Sequence, residues 1–106
     1  MMISDLAHAA QAVAPGEEPR FYDDRGCLAK DSASLPAGAK LYVQLEGGKG
    51  WVDVHDAFFA YPDGLRTPMG YGVTAFLTAE GASKADRQRR ALRWDEVVRQ
   101  VRADAR

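Results

Sequence analysis

The chain is expected to fold as a small α+β domain of antiparallel strands and short helices, arranged as two β-β-α-type halves. Three observations carry this expectation. Short apolar runs alternate with period two, most clearly where Leu41, Val43 and Leu45 oppose Lys40, Gln44 and Glu46. Proline and glycine turns separate such runs, as at Pro15-Gly16 and Pro62-Asp63-Gly64. Finally, a unit recurs. Phe21-Tyr22-Asp23-Asp24 leads into Cys27-Leu28-Ala29, and Arg93-Trp94-Asp95-Glu96 leads into Val97-Val98. Each is an aromatic strand end, an acidic cap and a helix start. Trp51-Val52-Asp53-Val54-His55-Asp56 repeats the first part of the unit. With 106 residues the chain makes one domain, 1–106, with halves at 1–38 and 39–106.

Taken in order, residues 9–14 read as a strand, although their alanines also favour helix. The turn at Pro15-Gly16 returns the chain into a second strand at Arg20-Phe21-Tyr22, making a hairpin. His8 then falls at the surface, at the strand start. Residues 24–33 read as a short helix. Either Asp23 or Asp24 can cap it, accepting the orphan amide hydrogens of its first turn. The helix stops near Leu35, because a residue before proline avoids helical dihedrals. Strands follow at 40–46, 51–54 and 57–61, then an irregular segment at 65–72 and a strand at 73–78. A charged helix is expected over 79–90 and a short strand over 91–94. Asp95 then caps a last helix that groups Val97, Val98 and Val101 on one face.

Composition narrows the function. The chain is 46% hydrophobic and 27% charged, with a net charge of −1, so no overall basic character points to nucleic acid. Arg87, Arg89, Arg90 and Arg93 form a local basic cluster that reads as a solvated helix face. One cysteine makes no internal disulfide, and with two histidines a closed zinc site is not expected. No run approaches the ~20 apolar residues of a membrane helix. No targeting segment is evident, so the sequence as written is expected in the cytoplasm.

Two short stretches can carry chemistry. Cys27 would lie about one turn inside its helix, where the dipole favours a thiolate, the form that binds a soft metal. A lone cysteine also serves as a small buried hydrophobe. Met69 stands in the loop Thr67-Pro68-Met69-Gly70, where there is little core to fill, and a thioether held in a rigid turn is a soft ligand for monovalent copper. The competing reading is a methionine folded back onto the core. His55 follows Asp53 and adds an imidazole. Thiolate, thioether and imidazole suit copper(I) and suit magnesium or calcium poorly. Enzymatic signatures are thin: a Cys27–His55 nucleophile pair has no local support, and Gly47-Gly48-Lys49-Gly50 lacks a phosphate-loop setting.

In combination these residues look familiar. Ile3-Ser4-Asp5, Ala9-Ala10-Gln11, Asp23-Asp24-Arg25-Gly26-Cys27, Val52-Asp53, Thr67-Pro68-Met69-Gly70 and Trp94-Asp95-Glu96-Val97 occur in that order. The pattern resembles the NosL family of nitrous oxide reductase accessory proteins over nearly the whole chain. The resemblance implies a fold similar to organomercurial lyase and a non-enzymatic copper(I) chaperone. It also implies an extracytoplasmic lipoprotein, with the reductase or other copper-assembly proteins as partners. Cys27 and Met69 match its motif positions and are the expected copper ligands, with His55 a weaker third. The chain departs from the pattern at Leu28, where many members carry methionine, and in lacking a cysteine-containing segment before Ile3. Two other functions remain open. One is a metal-free interaction module using exposed aromatics such as Trp51, Tyr61 or Tyr71. The remoter one is a lyase, which would be expected to need more than one cysteine.

Overall fold

The computed structural model describes residues 6–104. It is an α+β fold with two antiparallel sheets. Strands β1 (Ala10–Val13) and β2 (Arg20–Tyr22) form the expected hairpin, with Ala10 opposite Tyr22 and Ala12 opposite Arg20. Gly16 takes a positive φ of 75° in the turn, which glycine adopts without steric cost. Helix α1 (Arg25–Asp31) follows, then β3 (Lys40–Gln44) and β4 (Trp51–Asp53). The four strands lie in the order β2-β1-β3-β4. Strands β5 (Phe58–Ala60) and β6 (Thr74–Phe76) make the second sheet, and α2 (Ala79–Ala85) and α3 (Trp94–Asp104) complete the chain.

The boundary expected at residue 38 does not separate the sheets, because β1 and β3 pair across it. Alanines make this arrangement close. Ala10 and Ala12 on β1 are buried, and their small side chains admit Leu28 and Ala29 of α1. The other side of α1 meets α3, whose Val97 and Val101 are buried. Phe59 and Trp94, with ring centroids 5.5 Å apart, extend the same apolar cluster into the second sheet.

Three elements differ from expectation for identifiable reasons. The helix expected over 79–90 ends at Ala85, because Asp86 turns extended and spends its buried carboxylate elsewhere. Its Oδ1 accepts the amide of Tyr61 at 2.8 Å, and its Oδ2 accepts the amides of Gln88 and Arg90 and the Arg90 Nε–H. Burial opposes that charge, but these donors outweigh it and hold the carboxyl near pKa 2. The strand expected over 91–94 reduces to a bridge between Leu92 and Phe59, since Trp94 already begins α3. For the same reason Asp95 lies inside the first turn, and the Glu96 carboxylate accepts the Arg93 amide instead.

The alternation over 40–46 also breaks at its end. Gln44 is buried, and its side chain accepts the Gly50 amide at 3.0 Å, closing the turn into β4. His8 is half-buried in a 3-10 turn, with Nδ1 3.4 Å from an Arg25 nitrogen, so it is not the plain surface residue expected.

Arg25 is the largest fully buried side chain. Its guanidinium donates to the carbonyls of Gln44 at 2.8 Å, Val73 at 3.1 Å and Ala7 at 2.6 Å. One planar fork thereby joins the N-terminal segment, the first sheet and the loop residue that precedes β6. Burial pulls its pKa down to about 10, and the nearby Asp24 and Glu46 carboxylates oppose that shift.

Candidate metal centre

The site is built on the N-terminus of α1. Asp24 has extended dihedrals and caps the helix, its Oδ1 accepting the Gly26 amide at 3.0 Å. The sequence left the choice between Asp23 and Asp24 open, and the geometry selects Asp24. Its second oxygen does something not expected. Oδ2 accepts the Thr67 hydroxyl, the Met69 amide at 3.0 Å and the Tyr71 amide at 3.4 Å. Asp24 is fully buried, and these bonds satisfy it.

The loop is shaped for that attachment. The Gly70 amide returns to the Thr67 carbonyl at 2.9 Å, and the Gly72 amide donates to the Thr67 hydroxyl at 2.9 Å. Gly70 sits at a φ of 80° between Met69 and Tyr71, a turn that glycine makes without steric cost and that lets both amides reach one oxygen. The two sequence motifs, more than forty residues apart, are therefore fastened through a single carboxylate.

Tyr71 completes the fastening by packing on Gly26. A Cβ at Gly26 would stand 2.1 Å from Tyr71 Cγ and 2.3 Å from its Cβ, where no atom fits. These are the root atoms of the tyrosine, so the side chain cannot swing clear without moving its backbone. Gly26→Ala is expected to lift the loop from the helix and to cost about 1–3 kcal/mol, the usual range for overpacking. Urea unfolding of the variant checks this. An unchanged midpoint would mean that Tyr71 does not pack there in solution.

Cys27 lies in the first turn of α1, half-buried, with its amide bonded to the Asp24 carbonyl at 2.9 Å. The expectation of an easily ionised thiol is reversed. Burial raises its pKa to about 11, and the Asp24 and Asp23 carboxylates add to the rise. Seven residues of helix do not outweigh two carboxylates and partial burial. Met69 is anchored by its amide while its side chain is 63% exposed, so it does not fold back onto the core. Asp23 contributes a buried Oδ1 that has no hydrogen-bond partner among the described residues.

This chemistry fits a soft cation. A thiol beside two carboxylates resists losing its proton to water, yet the same negative surroundings favour a positive ion in its place. Among the described residues, no three His, Cys, Asp or Glu side chains gather closely enough to hold a metal. The Met69 thioether, which is not one of those side chains, is the soft donor carried by the loop that Asp24 fastens to α1. His55 lies on a different element from Cys27 and Met69. It is exposed in the turn after β4, and Asp53 Oδ1 accepts its backbone amide at 2.8 Å, leaving that carboxylate to orient the backbone rather than the imidazole. Its carbonyl accepts from Arg93. Of the aromatics considered for a partner surface, Trp51 is exposed, Tyr71 is half-buried and Tyr61 is buried. No known protein family, curated protein or solved structure matches this chain.

Proposed function

We propose that this protein is a copper(I)-binding accessory protein of the NosL kind, a metallochaperone for assembly of the nitrous oxide reductase copper centre. Cys27 and Met69 are its principal donors. The observation that carries the proposal is the attachment of the Thr67–Gly70 turn to the N-terminus of α1 through Asp24. It joins the two motifs behind the NosL resemblance. A half-buried thiol and an exposed thioether are an apt pair for a cargo ion, because an approaching partner's thiols or imidazoles can displace them one at a time. The role is binding and transfer, with no catalytic step. In the proposal the working location is extracytoplasmic. Among the described residues, no helix is long and apolar enough to cross a membrane.

The test is a copper(I) titration of the reduced protein against a competing chelator. One-to-one binding is expected, and it should be lost in Cys27→Ala and weakened in Met69→Ala. The thiol must release its proton to bind. With its pKa at about 11, affinity should rise tenfold for each pH unit between pH 6 and 8, with about one proton released per ion. The sign follows from the thiol being protonated throughout that window. Binding that is independent of pH, or equal in the Cys27→Ala protein, would remove Cys27 from the site. The chain would then fit better as a metal-free interaction module, with Trp51, exposed on the edge strand β4, as its first candidate contact.

A further inference from the structure

A cleft of about 600 Å³ opens where the N-terminal 3-10 turn, the turn between β3 and β4 and the second sheet meet. Neither Cys27 nor Met69 is among its described lining residues, so it stands apart from the copper reading. Its volume falls within the range of small-molecule sites, roughly 300–1,000 Å³. Most of its wall is apolar, with Leu65, Phe76 and Ala85 lining it from three different segments. The Phe76 ring is backed by α2 at Gly81, where an added Cβ would stand 3.3 Å from the ring edge. Glycine at that position lets the helix close on the ring, which fixes one wall.

The other walls are set by Arg25. Each of its three carbonyl partners belongs to, or leads into, a lining segment. Ala7 lines the cleft itself, Val73 precedes Thr74, and Gln44 lies two residues before Glu46. The space is therefore built into the fold. Arg25 is fully buried and its fork is taken by those carbonyls, so it does not offer its charge to a ligand. It does fix a donor. Its Nη1 lies 3.4 Å from His8 Nδ1, and a guanidinium only donates, so Nδ1 is the acceptor and the ring proton sits on Nε2. His8 lines the cleft, and Nε2–H is the polar group it has left. Thr74 supplies a second. It is only 3% exposed and lines the cleft, yet its hydroxyl makes no hydrogen bond among the described residues. A buried hydroxyl without a partner costs free energy that a ligand can return.

We infer that this cleft binds a small, neutral, largely apolar molecule that carries one hydrogen-bond acceptor, such as a ketone or ester carbonyl. The apolar walls take the body of the ligand out of water. The His8 Nε2–H and the Thr74 hydroxyl are the donors for its acceptor, and binding satisfies a hydroxyl that the fold leaves without a partner. Charge argues against the alternatives. Glu46, exposed on the rim, is the one charged side chain among the described lining residues. It repels an anion, and no cation on the wall offsets that. Because it is solvated, it holds a cation only weakly.

The probe for the test is prodan, a neutral naphthyl ketone whose fluorescence moves to the blue on leaving water. Saturable one-to-one binding to the full chain is expected, with a blue shift. Ala85→Leu, which fills the cleft from the end of α2, should abolish it. Thr74→Val keeps the shape of the side chain without its hydroxyl, and should weaken binding about fivefold. Leu77→Ser removes an exposed apolar side chain outside the cleft and should leave binding unchanged, as should Cys27→Ala. Thermal midpoints report folding, and Thr74→Val carries the test where Ala85→Leu does not fold. Absence of saturable binding, full affinity in a folded Ala85→Leu protein, or equal loss in Leu77→Ser would overturn the site. Full affinity in Thr74→Val would overturn the role given to the hydroxyl. In competition, acetylnaphthalene should displace the probe better than naphthoate or naphthylmethylamine. Stronger displacement by the anion or the cation would overturn the choice of a neutral ligand.

Discussion

Asp24→Ala is expected to be among the most destabilising single substitutions in this chain, at about 3–5 kcal/mol, the range for breaking a buried, hydrogen-bonded charge. Four donors lose their acceptor together: the Gly26, Met69 and Tyr71 amides and the Thr67 hydroxyl. The cap accounts for about 1 kcal/mol of this. The remainder comes from burying donors without partners and from leaving Arg25 without its neighbouring carboxylate. Small domains are stable by only about 5–15 kcal/mol, so much of the margin disappears. Urea unfolding gives the number, and a loss below about 1 kcal/mol would mean that Asp24 acts only as a helix cap. Asp24→Asn separates the two roles. Its amide oxygen still caps α1 but attracts the loop less strongly, so trypsin should cut faster after the exposed Arg66, just before the loop.

Arg25→Met is expected to cost a similar ~3–5 kcal/mol, although methionine fills comparable space with no charge to bury. The reason lies in what remains. The carbonyls of Ala7, Gln44 and Val73 lose their donors, and Asp24 loses the positive group beside it. Arg25→Lys should also destabilise, because one ammonium does not reproduce the fork that meets three segments. A double-mutant cycle with Asp24→Asn checks the coupling. Removing both charges should cost clearly less than the sum of the single losses. Strict additivity would show that the two side chains act separately.

Several elements were legible because their causes are local. The β1–β2 hairpin follows from its Pro-Gly turn, and the start of α1 follows from an acidic cap. What misled were residues whose partners lie far along the chain. Nothing near Asp86 tells that its carboxylate will capture the Tyr61 amide, so the helical composition of 79–90 suggests a longer helix than forms. Gln44 fits an outward position by alternation until its amide group closes the turn at Gly50. The site divides in the same way. Cys27 and Met69 are visible as soft donors in short motifs. Their connection is not, because it depends on one carboxylate oxygen and on amides 45 and 47 residues away. Arg25 looks like any charged residue of a short helix until three carbonyls converge on it. The raised Cys27 pKa comes first from burial, which the sequence does not display, and second from the adjacent Asp24 and Asp23 carboxylates, which it does.

The two oxygens of Asp24 also work at two chain distances. Oδ1 takes a donor two residues away, a contact α1 can make as soon as it forms. Oδ2 takes donors 43 to 47 residues away, which arrive only after the chain has passed through β3, β4 and β5. Loop-closure entropy puts such long-range contacts late in folding. The same carboxylate therefore serves one contact inside α1 and three that fasten the Thr67–Tyr71 loop to it. A chain in which the loop has not docked would keep the cap but lose three of the four donors to Asp24, so the long-range attachment is itself a mark of the completed fold.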